Sequence, residues 1–199
     1  QAMADRNIER YGLLEDDDEP GGGLEEGLAP IGPERSERFE PLGRRAAAFV
    51  ELALFGLGGG LVAASIAVYG EALEFKPTSL RLLLARGALL EEQGRVGEAL
   101  ADLERAATLA PADAMAANAY GYILANRTGQ ARKAWEYVRR AFELQPGSAA
   151  IEDSVGWTLF KLGRREEARS HLEGAFDRLP DPEIASHLAA VLWSLGDRD

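Results

Sequence analysis

Four prolines keep time through this chain. Pro77, Pro111, Pro146 and Pro180 are spaced 34, 35 and 34 residues apart, and a fixed period of that size means that one small structural unit is built again and again. Other residue types hold the same phase. Gly87 is followed by Ala99, Ala106 and Pro111 at offsets of 12, 7 and 5, and Gly156 by Ala168, Ala175 and Pro180 at the same offsets. Gly121 is followed by Ala134, Ala141 and Pro146 at 13, 7 and 5, one residue having been added in the turn.

These residue types have physical roles at that spacing. Each unit reads as two amphipathic helices, with Gly94, Gly129 or Gly163 in the turn between them. A proline then stops the second helix, since it cannot continue the hydrogen-bond ladder and pushes its predecessor out of the α region. Small residues such as Gly121 and Ala134 let the two antiparallel helices approach closely. One hairpin cannot bury its apolar face alone, so neighbours must stack into a solenoid. The fold expected is all-α.

The pattern resembles the tetratricopeptide repeat (TPR) family over residues 78–196, and that resemblance implies a solenoid of antiparallel helix hairpins. Residues 78–199 are read as three hairpins plus an unpaired C-terminal helix, PEIASHLAAVLWSLG, ended by Gly196. The open face of that helix makes self-association a further expectation. The runs GYILANR, DSVGWTLFKLGR and DPEIASHLAAVLW are similar to the C-terminal repeats of Gram-negative cell-envelope TPR proteins. Several of those are outer-membrane lipoproteins that act as adaptors for periplasmic proteases and cell-wall hydrolases. The resemblance therefore implies a protein-binding adaptor in the bacterial periplasm or at the outer membrane, with the cytoplasm as the alternative.

Residues 44–77 are read as a degenerate hairpin, with Ala72 and Pro77 in phase and Gly56–Gly60 as its turn. The competing reading is a membrane span, because residues 46–70 carry a single charge, Glu51, over a length that would cross a bilayer. That reading makes the chain a membrane-anchored subunit of an assembly complex. The hairpin is preferred, since the phase runs unbroken into Pro77 and three consecutive glycines burden a continuous helix. Residues 1–43 hold 12 Asp/Glu against 4 Lys/Arg, with 7 of the 22 glycines and 4 of the 9 prolines. They have the composition of a linker or tail. The alternative is an acidic segment that docks on a basic partner or on the protein's own groove.

Composition excludes several kinds of chemistry. There is no cysteine, hence no disulfide framework, thiol catalysis or Cys-based zinc site. A net charge of −11 without a basic stripe argues against nucleic-acid binding. His171 and His187 lie in separate units without a second ligand at metal spacing, and read as helix-surface or interhelix residues. No nucleophile elbow, phosphate loop or paired-carboxylate cleft stands out. A non-enzyme without cofactor or metal is expected, whose partner is another protein or peptide. A chain that begins at Gln1 rather than Met reads as a processed product or an excised piece, so a signal peptide or lipid anchor is not excluded.

The TPR resemblance implies that the first helix of each unit lines a concave surface. Carried across, the inward positions are Asn118, Tyr122, Ala125 and Asn126, then Asp153, Trp157, Phe160 and Lys161, then Ser186, Ala190 and Trp193. Helical geometry agrees independently for Asp153, Trp157 and Lys161, which are four apart, with Phe160 beside them. Val155 and Leu159 fall on the core side. Tyr122, Trp157, Phe160 and Trp193 would then form an aromatic strip, with Asn and Lys available to bond a peptide backbone; alternatively these aromatics pack between adjacent repeats. TPR domains that grip C-terminal carboxylates use a Lys/Asn/Arg cluster on this face. Here the corresponding places hold Leu84, Ala88 and Asp153, so that mode is not expected.

Overall fold

The computed structural model describes residues 58–196. These residues fall in two compact units, one ending at Pro77 and the other beginning at Thr78. The acidic segment 1–43 and the first part of the degenerate hairpin, residues 44–57, lie outside the described residues.

In the first unit one helix is described, α1 (Gly58–Phe75). Here the sequence reading needs a correction. Gly58, Gly59 and Gly60 do not form a turn; they are the first turn of α1. The N–H groups of a first turn have no intrahelical partner in any case, so glycine costs least there. Among the described residues no helix is long and apolar enough to cross a membrane.

Among the described residues the second unit holds seven helices: α2 (Leu80–Glu92), α3 (Val96–Leu109), α4 (Ala114–Arg127), α5 (Ala131–Leu144), α6 (Ala149–Lys161), α7 (Arg165–Arg178) and α8 (Pro182–Leu195). Their boundaries follow from the repeated residues. Gly94, Gly129 and Gly163 have φ of 70°, 69° and 81°, the left-handed conformation that ends a helix and that glycine adopts without a Cβ penalty. Pro111, Pro146 and Pro180 each follow the end of a second helix by two residues. The residue that opens the next unit is a helix cap. Asp113 accepts from the Ala116 N–H at 2.7 Å and Asp181 from the Glu183 N–H at 2.7 Å, and Ser148 accepts from the Ile151 N–H at 3.4 Å. Gly196, at φ 86°, ends α8 in the manner of the three internal turns.

Within each hairpin the two helices meet at the glycine that opens the sequence pattern. A Cβ placed on Gly87 would lie 2.7 Å from Leu103 Cδ2, one on Gly121 would lie 2.7 Å from Val138 Cγ1, and one on Gly156 would lie 2.6 Å from Leu172 Cγ. All three aliphatic side chains are fully buried. Beyond the hairpins, each second helix packs on the following first helix, and the first helices α2, α4, α6 and α8 touch in succession. The first helices are thus the inner row, flanked on several sides. Burial reflects this: ten consecutive residues of α4, Ala116 to Ala125, are buried, whereas α5 buries only Ala131, Ala134, Val138 and Ala141. Val155 and Leu159 join Val138, Ala168, Leu172 and Val191 in the core, as the helical spacing predicts.

The space around each glycine dictates the outcome of its substitution. Gly121→Ala gains about 1 kcal/mol of helix propensity, but its Cβ meets Val138 and the Val138 backbone N at 3.0 Å, an overpacking cost of about 1–3 kcal/mol. Thermal melting is expected to show net destabilisation. Gly97→Ala, in α3 with no atom near the added Cβ, is expected to raise the melting temperature.

Candidate functional site

The inner face of α4, α6 and α8 carries a connected set of aromatic and polar side chains. Its members come from different repeats because residues about one period apart become neighbours in a solenoid. At the centre is Trp157 on α6. Its indole stacks on the His187 ring of α8, with centroids 4.1 Å apart and planes inclined by 17°, and Phe160 lies beside it at 5.3 Å. The Lys161 ammonium stands 4.2 Å from the indole centroid, a cation–π distance. On the α4 side, Trp157 Nε1 donates to Asn126 Oδ1 at 3.3 Å, and Asn126 Nδ2 donates to the Tyr122 hydroxyl at 3.1 Å. Tyr122 in turn donates to Glu183 Oε1 of α8 at 2.5 Å, across 61 residues of sequence.

Beneath this layer His187 Nδ1 lies 2.8 Å from Asp153 Oδ1. Asp153 is fully buried and His187 is 8% exposed. A carboxylate without access to water requires hydrogen bonds, and the imidazole supplies one. The pair spans 34 residues, one repeat, and ties α8 to α6.

The structure brings together six of the eight proposed contact residues, Tyr122, Asn126, Asp153, Trp157, Phe160 and Lys161, at different depths. Trp157, Phe160 and Asn126 are half-buried and Lys161 is exposed, while Trp193 on α8 is 66% exposed. Tyr122 is only 3% exposed, so it acts as a tether between α4 and α8 and presents little aromatic surface. Asn118 is completely buried, and neither of its amide atoms has a hydrogen-bond partner. It lies below the inner surface, because α4 is covered on several sides. Ser186 is exposed and Ala190 half-buried. Sequence reasoning placed neither His187 nor Glu183 in the site. The available signal was the 34-residue separation of Asp153 and His187.

A second polar set lies on the other side of α4. Tyr120 donates to Glu104 Oε1 at 2.5 Å, and Lys133 Nζ approaches the Tyr120 hydroxyl at 2.6 Å and Glu104 at 3.0 Å. Burial, and then the bond to Glu104, pushes the Tyr120 phenol up. The bonds from Tyr120 and Lys133 hold the Glu104 carboxyl below its ordinary value. Lys133 is raised by the same two partners, Tyr120 first, and stays cationic.

A family model described as tetratricopeptide repeat matches residues 80–113, the first complete hairpin. That hairpin is similar to a tetratricopeptide repeat. A TPR repeat-containing protein of Pseudomonas aeruginosa is 39% identical over 118 residues, which is 59% of this chain and 20% of that protein. The chain thus spans about a fifth of the length of that curated relative. Among solved structures, a thermophilic TPR protein of Thermus thermophilus superposes with a TM-score of 0.62 at 20% identity, covering 78% of this chain and 84% of that one. MamA superposes with a TM-score of 0.58 at 20% identity, over 71% and 83% of the two chains. YrrB, described as a TPR protein with an unusual peptide-binding site, gives 0.55 at 18% identity over 82% and 84%. At these identities the likeness is one of fold.

The His187 contacts make a measurable prediction for the helical stack. His187→Ala deletes a hydrogen bond to a fully buried carboxylate and is expected to cost about 2 kcal/mol in denaturant melts. It also uncovers one face of Trp157, so tryptophan emission is expected to shift to the red in the folded variant. His187→Asn, which keeps a polar partner for Asp153, is expected to recover part of the stability and none of the emission.

Proposed function

We propose that the chain is a protein-binding scaffold that holds a segment of another protein against the inner face of α4, α6 and α8. One observation carries this reading: the inner row leaves large aromatic surface at the solvent boundary. Trp157 and Phe160 sit side by side and half-buried, and Trp193 on the next first helix is 66% exposed. Tryptophan at a partly exposed helical surface is the residue type in which binding energy concentrates. The polar bonds that hold Trp157 in place, through Asn126 and His187, preorganise it and lower the entropy cost of binding.

Two resemblances narrow the reading. The description of YrrB as having a peptide-binding site supports a peptide-sized contact. The similarity of GYILANR, DSVGWTLFKLGR and DPEIASHLAAVLW to cell-envelope TPR adaptors supports recruitment of an envelope protease or cell-wall hydrolase, in the periplasm or at the outer membrane. The chain is proposed to hold its partner rather than to catalyse a reaction.

Affinity capture from an extract of the source organism, with wild-type protein and with Trp157→Ala and Trp193→Ala, tests the groove. Truncating a hot-spot tryptophan costs about 2 kcal/mol or more, roughly 30-fold in affinity, so the principal captured protein is expected to be depleted with both variants. Undiminished recovery by correctly folded variants would remove the aromatic face from the account.

A further inference from the structure

Beside the inner face, where the α4–α5 turn meets the end of α6, lies an open cleft of about 540 Å³ lined by Gly129, Gln130, Ala131, Arg132, Lys133, Lys161 and Leu162. Its lining contains three cations and no carboxylate. In a chain of net charge −11 that is an unusual local balance. Most arginines of the repeats are paired. Arg86 makes a two-pronged contact with Asp102 at 2.6 and 2.7 Å, and Arg127 reaches Glu91 at 3.2 Å. Where an acid follows an arginine by one helical turn, the pair usually closes, as in Arg95–Glu98, Arg139–Glu143, Arg164–Glu167 and Arg169–Glu173. Glu136 follows Arg132 by one turn on α5, yet among the described residues Arg132 forms no salt bridge. Lys161 forms none either, and is held over the Trp157 indole at 4.2 Å.

We infer that this cleft is a docking surface for an acidic segment of a partner protein, a run of Asp or Glu within a chain. Charge complementarity commits it to that occupant. Arg132 offers a planar fork that matches a carboxylate, and Lys161 and Lys133 add point charges along the same wall. Among the described residues Arg132 and Lys161 form no ion pair, whereas Lys133 is shared with Glu104 at 3.0 Å; exposed cations of this kind raise association rates and select partners by sign. A nucleic acid is disfavoured, since only three cations line the cleft and a continuous polyanion is held by many more. The position also differs from an inner-face grip on a terminal carboxylate, because the cations belong to the ends of hairpins. Through Lys161 the cleft adjoins Trp157, so one partner segment can meet the aromatic surface and the cations together.

The test is fluorescence anisotropy of a labelled Glu-rich peptide with the full chain at low ionic strength. Saturable binding that weakens as salt is added is expected, with a Gln-for-Glu peptide failing to bind. Arg132→Glu combined with Lys161→Glu reverses two exposed charges, and is expected to weaken binding about ten-fold or more while the thermal melt stays unchanged. Arg105→Glu, an exposed charge on α3 outside the cleft, is expected to change peptide affinity far less. Equal binding of the Gln peptide, or indifference to the double charge reversal, would overturn the inference. So would single-stranded DNA binding with the same dependence on Arg132 and Lys161. Because the probe is a synthetic peptide, this outcome is separate from the capture experiment: loss of the groove reading leaves peptide binding in place, and the reverse also holds.

Discussion

Everything in the repeat unit depends on how closely two helices of one hairpin approach. At Gly87, Gly121 and Gly156 the missing Cβ makes room for Leu103, Val138 and Leu172, and any added carbon would fall within 2.7 Å of them. Dispersion and apolar burial reward that proximity only if no side chain intervenes. The spacing of the hairpin then fixes where the next first helix can sit, and so the alignment of the inner row. The residues that stop and start each helix serve this contact by giving every unit the same length. A left-handed glycine closes the first helix, a proline ends the second, and Asp113, Ser148 or Asp181 caps the next.

Stacking converts a period in sequence into adjacency in space. Asp153 and His187 differ by one period and form a buried pair. Asn126 and Trp157, 31 residues apart, share a hydrogen bond. The inner face is therefore a composite surface, in which no single repeat supplies a complete environment. Trp157 is oriented by a ring from the following repeat and an amide from the preceding one. This arrangement makes the aromatic surface rigid, which matters more for binding than its area alone. It also places α8 under polar control, since Glu183 and His187 both fasten its first two turns to earlier helices.

Ionic contacts follow a different logic. Pairs such as Arg95–Glu98 and Arg164–Glu167 are exposed and contribute little to stability. Their consequence is to neutralise arginine across most of the surface. The cleft stands out by contrast: of its three cations only Lys133 has a carboxylate partner among the described residues, Glu104.

Much of this was legible in the chain itself. Periodic Gly, Ala and Pro specify the helices, their turns and the solenoid, because backbone conformation and close packing impose those residue types locally. Val155 and Leu159 could be assigned to the core from helical spacing alone. The Gly58–Gly60 run misled, since composition does not distinguish a glycine turn from the first turn of a helix. Depth was decided only by tertiary packing: Tyr122 and Asn118 share a helix face with Asn126, yet burial by neighbouring helices makes one a tether and conceals the other. The membership of His187 and Glu183 in the inner face, and the unpaired state of Arg132, were settled by contacts between elements far apart in the chain, and helical spacing within one element contains no information about them.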